Sequence, residues 1–272
     1  MKVRFFSTIY VKILIVVFSI VALWQLFIIF TEIKETTLNF AFSLFYSTIP
    51  LGGGVIGFLN SRRWGGFTSS IGRAVFFLSA GIFLWGIGNL IFAYYNLALH
   101  IAVPYPSLAD AFFLLIYPFS LLGMTYLLKA TGVLFAVRKI SNKFVLFLIP
   151  LMVGLLSFYF LFVVARGGEI TYDGDVLKLV LDVVFPIGSA LVATFSVVVY
   201  GLSIRFLGGI FQMPIILILT GFVSNYFADF LFSYTTTTET YFVGMWVDIF
   251  YPTAFLLISF GLNLLDPRLA KK

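Results

Sequence analysis

The chain has 272 residues, 61% hydrophobic and 10% charged, with 17 Lys and Arg against 11 Asp and Glu and no Cys. Soluble domains average roughly 45–50% apolar and about 25% charged residues, so a chain this apolar cannot cover itself with a hydrated surface. It reads as an all-α, polytopic integral membrane protein, a single membrane domain over residues 1–272 with almost nothing left for a soluble domain at ~20 residues per spanning helix.

Long apolar runs separated by charge, Gly/Pro or Ser/Thr clusters predict eight transmembrane helices, near residues 11–30, 39–59, 74–95, 108–128, 144–165, 177–200, 209–232 and 243–265. Barrel strands would alternate over about 10 residues, and these runs do not. The first run follows Lys2 and Arg4 but is longer than an ordinary signal-peptide core and has no small-x-small cleavage site after it, so it is expected to be a retained helix. Within span two, Pro50-Leu51-Gly52-Gly53-Gly54 is expected to kink or break the helix, and Gly53 with Gly57 offers a small-xxx-small face for close packing.

Charge gives a sidedness. With a cytoplasmic N-terminus only Lys34, Arg166 and Lys178 of the 17 basic residues fall outside, so both termini are expected in the cytoplasm of a cell-membrane protein. The net charge of +6 then needs no nucleic-acid partner, because bases at that face meet anionic lipid. The acids run the other way. Glu32, Glu35, Glu169, Asp173, Asp175 and Glu239 fall in outer loops, and Asp110, Asp182, Asp229 and Asp248 in the outer parts of spans four, six, seven and eight.

Spacing suggests a four-plus-four internal repeat, with halves of about 1–135 and 136–272. Pro50-Leu51-Gly52 answers Pro186-Ile187-Gly188 at an offset of 136; Asn89 and Tyr94 answer Asp229 and Tyr234 at 140; Asp110 and Gly123 answer Asp248 and Gly261 at 138. Four helices per unit is an even number, so the halves would share one orientation, related by an axis along the membrane normal.

The acids admit structural and functional readings. Ser107 and Asp110 have capping-box spacing, and Asp248 lies near a helix start where the dipole favours a carboxylate. Asp182 has Lys178 one turn before it as a possible partner. Asp229 has no neighbouring base, only Asn225 one turn deeper on the same face. An ionised Asp at a helix centre costs about 2.5–3.5 kcal/mol on insertion scales, so these acids should face protein or water. Tyr94, Tyr95, Tyr117, Tyr234, Tyr251, Trp85 and Trp246 could line the resulting pocket, or serve as belt and packing rings.

Several chemistries lack residues. With no Cys and His100 alone, no bis-His haem, thiolate metal site or His-based triad can form, and no mid-span Lys supports a retinal Schiff base. No phosphate-binding Gly loop appears. Neither enzyme activity nor a cofactor is expected.

The stretch Leu84-Trp85-Gly86 through Tyr94-Tyr95, then Val103-Pro104-Tyr105-Pro106-Ser107-Leu108-Ala109-Asp110 and Tyr117-Pro118, resembles the multi-helix sensory (input) module of bacterial and archaeal signalling proteins such as diguanylate cyclases, cyclic-di-GMP phosphodiesterases and histidine kinases. Ala228-Asp229, Tyr241 and Gly244-Met245-Trp246-Val247-Asp248 are similar to it too, and the likeness covers roughly residues 74–266. It implies an input role. In those proteins an output domain follows the last helix, whereas only Asp266 to Lys272 follow here, so the expectation is either an output on a separate polypeptide or a stand-alone relative with another job.

The first functional expectation is therefore a receptor-like protein with an outward-facing acidic and aromatic pocket for a small, cationic or amine-bearing ligand. Asp182, Asp229 and Asp248 would set its charge, Asn89, Asn225, Tyr94 and Tyr234 would orient the ligand, and Asp110 is a further candidate ligand-binding residue. A cytoplasmic signalling partner would receive the change. The alternatives are a secondary transporter or ion pathway on duplicated halves, and a scaffold subunit of a membrane complex.

Overall fold

The structure is a computed structural model that describes residues 9–130, 144–168, 176–203 and 211–270; in them the chain is helical and forms no strand. The helices are α1 (Ile9–Thr31), α2 (Thr37–Tyr46), α3 (Thr48–Arg63), α4 (Ser70–Leu99), α5 (Leu108–Leu114), α6 (Ile116–Ala130), α7 (Phe144–Phe158), α8 (Val176–Ser203), α9 (Gln212–Thr237), α10 (Phe250–Leu264) and the short α11 (Pro267–Ala270). Lys2, Arg4, Arg138, Lys139, Lys143, Arg205, Lys271 and Lys272, and the acids Glu169, Asp173 and Asp175, lie outside the described residues.

Seven segments among the described residues are long and apolar enough to cross a membrane: Ile9–Thr31, Thr37–Arg63, Ser70–Leu99, Leu108–Ala130, Val176–Tyr200, Gln212–Thr237 and Trp246–Leu264. They correspond to seven of the eight expected spans. The fifth expected span, residues 144–165, is helical as α7 followed by a π-helical turn, Tyr159–Val164, but its described apolar stretch, Leu151–Val164, is shorter than a crossing.

Proline sets where the spans break. Pro50 has no N–H for the Tyr46 carbonyl, so the second span parts at Ser47 into α2 and α3, three residues before the proline rather than in the glycines. Pro118 acts alike on the Leu114 carbonyl, and the fourth span parts at Leu115 into α5 and α6. Pro252 lies in the first turn of α10, where backbone donors have no helical partner to lose. Pro186 sits inside α8, which continues through it.

Small residues set how closely the helices approach. A Cβ on Gly53 would collide with the Ser259 side chain of α10, and one on Gly57 with Ser79 of α4. This is how α3 wedges between α4 and α10, in a setting where close packing replaces the hydrophobic drive between helices. Two further contacts match each other across the chain. Gly81 of α4 faces Ser120 and the Ile116 carbonyl of α6, while Gly221 of α9, 140 residues later, faces Ile258 and the Ala254 carbonyl of α10, both 138 residues later. Gly123 of α6 packs on Leu78 of α4 just as Gly261 of α10 packs on Ile218 of α9.

The two ends of the bundle differ chemically. At one end Arg63 (2.9 Å) and Arg268 (2.6 Å) both bind Asp266. Burial pushes the Asp266 carboxyl up, but the hydrogen bonds from Arg268 and the charges of Arg63 and Arg268 outweigh it and hold the group below the ordinary carboxylate value. At the other end the loop before α10 is tied down by α1 and α2: Gln25 donates to the Met245 carbonyl at 2.6 Å, and Asn39 to the Val243 carbonyl at 2.7 Å. Gly244 adopts φ +89°, a left-handed conformation suited to glycine, with Ile28 packed against it.

A candidate ligand site between α4, α6, α8, α9 and α10

At the end tied down by Gln25 and Asn39 the helices enclose a cavity of about 110 Å³. Three carboxylates line it, Asp110, Asp182 and Asp229, with a wall of rings that includes Tyr46, Trp85, Phe113, Tyr117, Phe185 and Tyr251. Trp85 is the hinge of that wall, with ring centres 5.1 Å from Phe113, 5.2 Å from Tyr251 and 4.2 Å from Phe255.

Asp229 is held from four helices, counting its own. Oδ2 accepts from Ser189 Oγ of α8 (2.6 Å), Asn225 Nδ2 one turn earlier on α9 (2.9 Å) and Tyr117 of α6 (3.2 Å); Oδ1 accepts from Tyr251 of α10 (3.1 Å). Local sequence explains the convergence. The Tyr117 ring lies against Gly188, where any side chain would block it, and Ser189 is the next residue on α8. All four donors are uncharged, so they solvate the carboxylate without cancelling its charge.

Asp182 is differently held. Its Oδ2 receives Arg166 at 2.6 Å and its Oδ1 the Tyr105 hydroxyl at 2.7 Å, so the loop before α5 and the turn after the π-helical segment are tied to α8. Burial, and then the hydrogen bond to Asp182, push the Tyr105 hydroxyl up, so it stays protonated and donates. Asp110 closes a capping box: Ser107 N–H donates to Oδ2 at 2.6 Å and Ser107 Oγ accepts from Ala109 N–H at 3.2 Å.

Asp248 lies behind the cavity wall. Its Oδ2 takes the Gly244 N–H at 2.7 Å and its two oxygens the Tyr241 hydroxyl at 3.1 and 3.2 Å, and it is Tyr241 that faces the cavity. Burial, and then the Asp248 charge, push the Tyr241 hydroxyl up.

Asn89, at the position that answers Asp229, is saturated. Its Nδ2 donates to the Ser43 carbonyl (2.8 Å) and Ser47 Oγ (2.7 Å), and its Oδ1 accepts from Tyr46 (3.1 Å). These partners sit at the break that Pro50 causes, so Asn89 lines the cavity as a strut between α4 and the end of α2.

Of the residues expected at the site, Asp110, Asp182, Asp229 and Asn89 line the cavity, and Asn225 and Asp248 support it from behind. Tyr94 and Tyr234 do not line it; Tyr94 is 60% exposed and points away from the core, and Tyr95 and Trp246 also lie outside the lining. Sequence reasoning did not reach Ser189, Arg166, Tyr105 as a ligand of Asp182, or Tyr46. Tyr105 stood in a conspicuous Pro-Tyr-Pro segment, and Ser189 follows the Pro186-Ile187-Gly188 motif directly.

Fold and site together define a multi-helix membrane protein with a polar, aromatic-walled cavity at one end of its bundle. No protein family, curated protein or solved structure matches the chain.

Proposed function

We propose that the protein is a membrane receptor that binds a small organic cation in this cavity and relays its occupancy through the helix bundle to a cytoplasmic partner. The observation that carries this reading is Asp229: a carboxylate lining a ring-walled cavity and held only by uncharged donors. A substituted ammonium fits that combination, since rings attract cations through their faces and the carboxylate supplies the opposite charge. The Pro-Ser-Leu-Ala-Asp segment at the rim, and its likeness to sensory input modules, agree with the role.

The cavity end is read as the outer one. Among the described residues Lys12, Arg62, Arg63, Arg73, Lys129 and Arg268 belong to the opposite end, against Lys34, Arg166 and Lys178 at the cavity end. The full topology is read as eight spans with residues 144–165 as the fifth, both termini inside. The duplication is supported by the matched pairs Gly81–Ser120 with Gly221–Ile258 and Gly123–Leu78 with Gly261–Ile218. In that reading one half carries the locked Asn89 and the other the charged Asp229. The first is the frame, and the second responds.

The test is titration of tetramethylammonium into the purified, detergent-solubilised protein in caesium chloride buffer. Saturable binding is expected. Flux of the same probe across proteoliposomes would instead make the protein a transporter.

A further inference from the structure

The cavity carries more negative charge than one cation cancels. Asp110, Asp182 and Asp229 line it, no Lys, Arg or His stands among its lining residues, and Arg166, from outside the lining, pairs with Asp182. Two carboxylates are left, each held by uncharged groups alone: Asp229 by its four donors and Asp110 by Ser107. We infer that the cavity takes a linear diamine, with one ammonium on Asp229, the other on Asp110, and the methylenes between them along the ring wall. The inference rests on the organic-cation reading and names the class of cation.

Asp110 has an oxygen to give to the second ammonium. The residue is only 6% exposed and lines the cavity. Its hydrogen bonds from Ser107 N–H (2.6 Å) and Ser107 Oγ (3.2 Å) both go to Oδ2, and Oδ1 receives none among the described residues. Asp182 offers less, since Tyr105 takes one of its oxygens and Arg166 the other. A buried carboxylate oxygen without a partner is costly, and an ammonium N–H supplies both the hydrogen bond and the opposite charge. A monocation on Asp229 would leave the Asp110 charge unbalanced, whereas a dication balances both.

Spacing fits a chain with a charge at each end. Asp110, Phe113 and Tyr117 follow one another at i, i+3 and i+7, one face of two helical turns carried across the break at Leu115, and all three line the cavity. Two turns rise about 10 Å. The stripe begins at one carboxylate, passes a ring and ends at Tyr117, whose hydroxyl donates to the other carboxylate, Asp229. Phe113, between them on the stripe, packs 5.1 Å from Trp85, and these rings give methylenes an apolar wall and an ammonium a ring face. A compact quaternary ion meets one end only.

The test compares 1,4-diaminobutane with n-butylamine, and 1,6-diaminohexane with n-hexylamine, each titrated at neutral pH and constant ionic strength into the detergent-solubilised full chain. In the wild type at least one diamine should bind at least about tenfold more tightly than its matched monoamine, well above the factor of about two that two equivalent ends give by statistics. In Asp110→Asn that ratio should fall to about twofold, while Ser107→Ala, which removes the side-chain cap and keeps the carboxylate, should retain it. Ratios near twofold for both pairs in the wild type would overturn the inference without any variant. So would an undiminished ratio in Asp110→Asn, or an equal loss in Ser107→Ala, which would assign the effect to the cap. Tetramethylammonium binding with no diamine preference would end this inference and leave the organic-cation reading standing; no binding by any amine or by tetramethylammonium would end both.

Discussion

Ser189 on α8 donates to Asp229 on α9 at 2.6 Å, and this contact joins two helices at a cavity carboxylate held by four uncharged donors. Tyr117 and Tyr251 bring α6 and α10 to the same group. Helix packing at this end therefore depends on how that carboxylate is satisfied.

Removing a donor should be felt in stability. Ser189→Ala leaves the carboxylate one hydrogen bond short in a setting with little water, at a cost of about 1–3 kcal/mol. Because Ser189 and Asn225 serve the same oxygen, the double variant Ser189→Ala, Asn225→Ala should differ from the sum of the single losses. Chemical unfolding in mixed micelles measures this; full additivity would show that the donors act independently.

The small-residue packing of α3 gives a rescue experiment. Gly53→Ala places a Cβ into Ser259 and should destabilise by about 1–3 kcal/mol, the range for overpacking. Adding Ser259→Gly removes the obstructing atoms and should recover a large part of the loss. If the second change only worsens the first, α3 and α10 do not meet as described.

At the opposite end Asp266 makes a pH dependence whose sign is set by its lowered carboxyl. A group depressed in the folded state stabilises at pH above its unfolded value, ~3.9, and that contribution fades as pH falls through the lower folded value. Wild type should thus exceed Asp266→Asn by a constant margin at neutral pH, about 2 kcal/mol for charged hydrogen bonds, and the margin should close in acid. Unfolding midpoints of both proteins between neutral pH and pH 3 test it. A margin that widened in acid would contradict it.

Arg166 occupies Asp182 and so subtracts one negative charge from the cavity wall. Arg166→Gln should restore that charge and tighten tetramethylammonium binding by at least about threefold, a modest fraction of the interaction between unit charges near a surface. Stability should fall at the same time, because Asp182 loses its ion-pair partner. Equal affinity in the variant, measured by titration, would mean that Asp182 does not act on the ligand.

Much of this was legible in the chain. Apolar runs located seven helices long and apolar enough to cross a membrane, because an uninterrupted apolar run in lipid must satisfy its backbone groups as a helix. Asn225 and Asp229 could be paired because a spacing of four places them on one helix face, and Ser107 with Asp110 because capping is local. The rest of the site is made by contacts between distant segments. Nothing local announces that Ser189 and Tyr251 meet the same carboxylate, or that Arg166 reaches back to Asp182. Tyr94 misled because repeat spacing pairs it with Tyr234 but says nothing of which way either ring faces. Pro50 was correctly seen as a breaker, yet the break falls at Ser47, since proline takes the hydrogen bond from the turn before it.

The most direct test of the central claim is tetramethylammonium titration of wild type and Asp229→Asn, side by side in caesium chloride. If Asp229 supplies the charge that holds a cation in the cavity, wild type binds saturably and the isosteric variant binds at least about tenfold more weakly, a loss of about 1.4 kcal/mol. Equal binding by the two proteins, or none by a folded wild type, would contradict it.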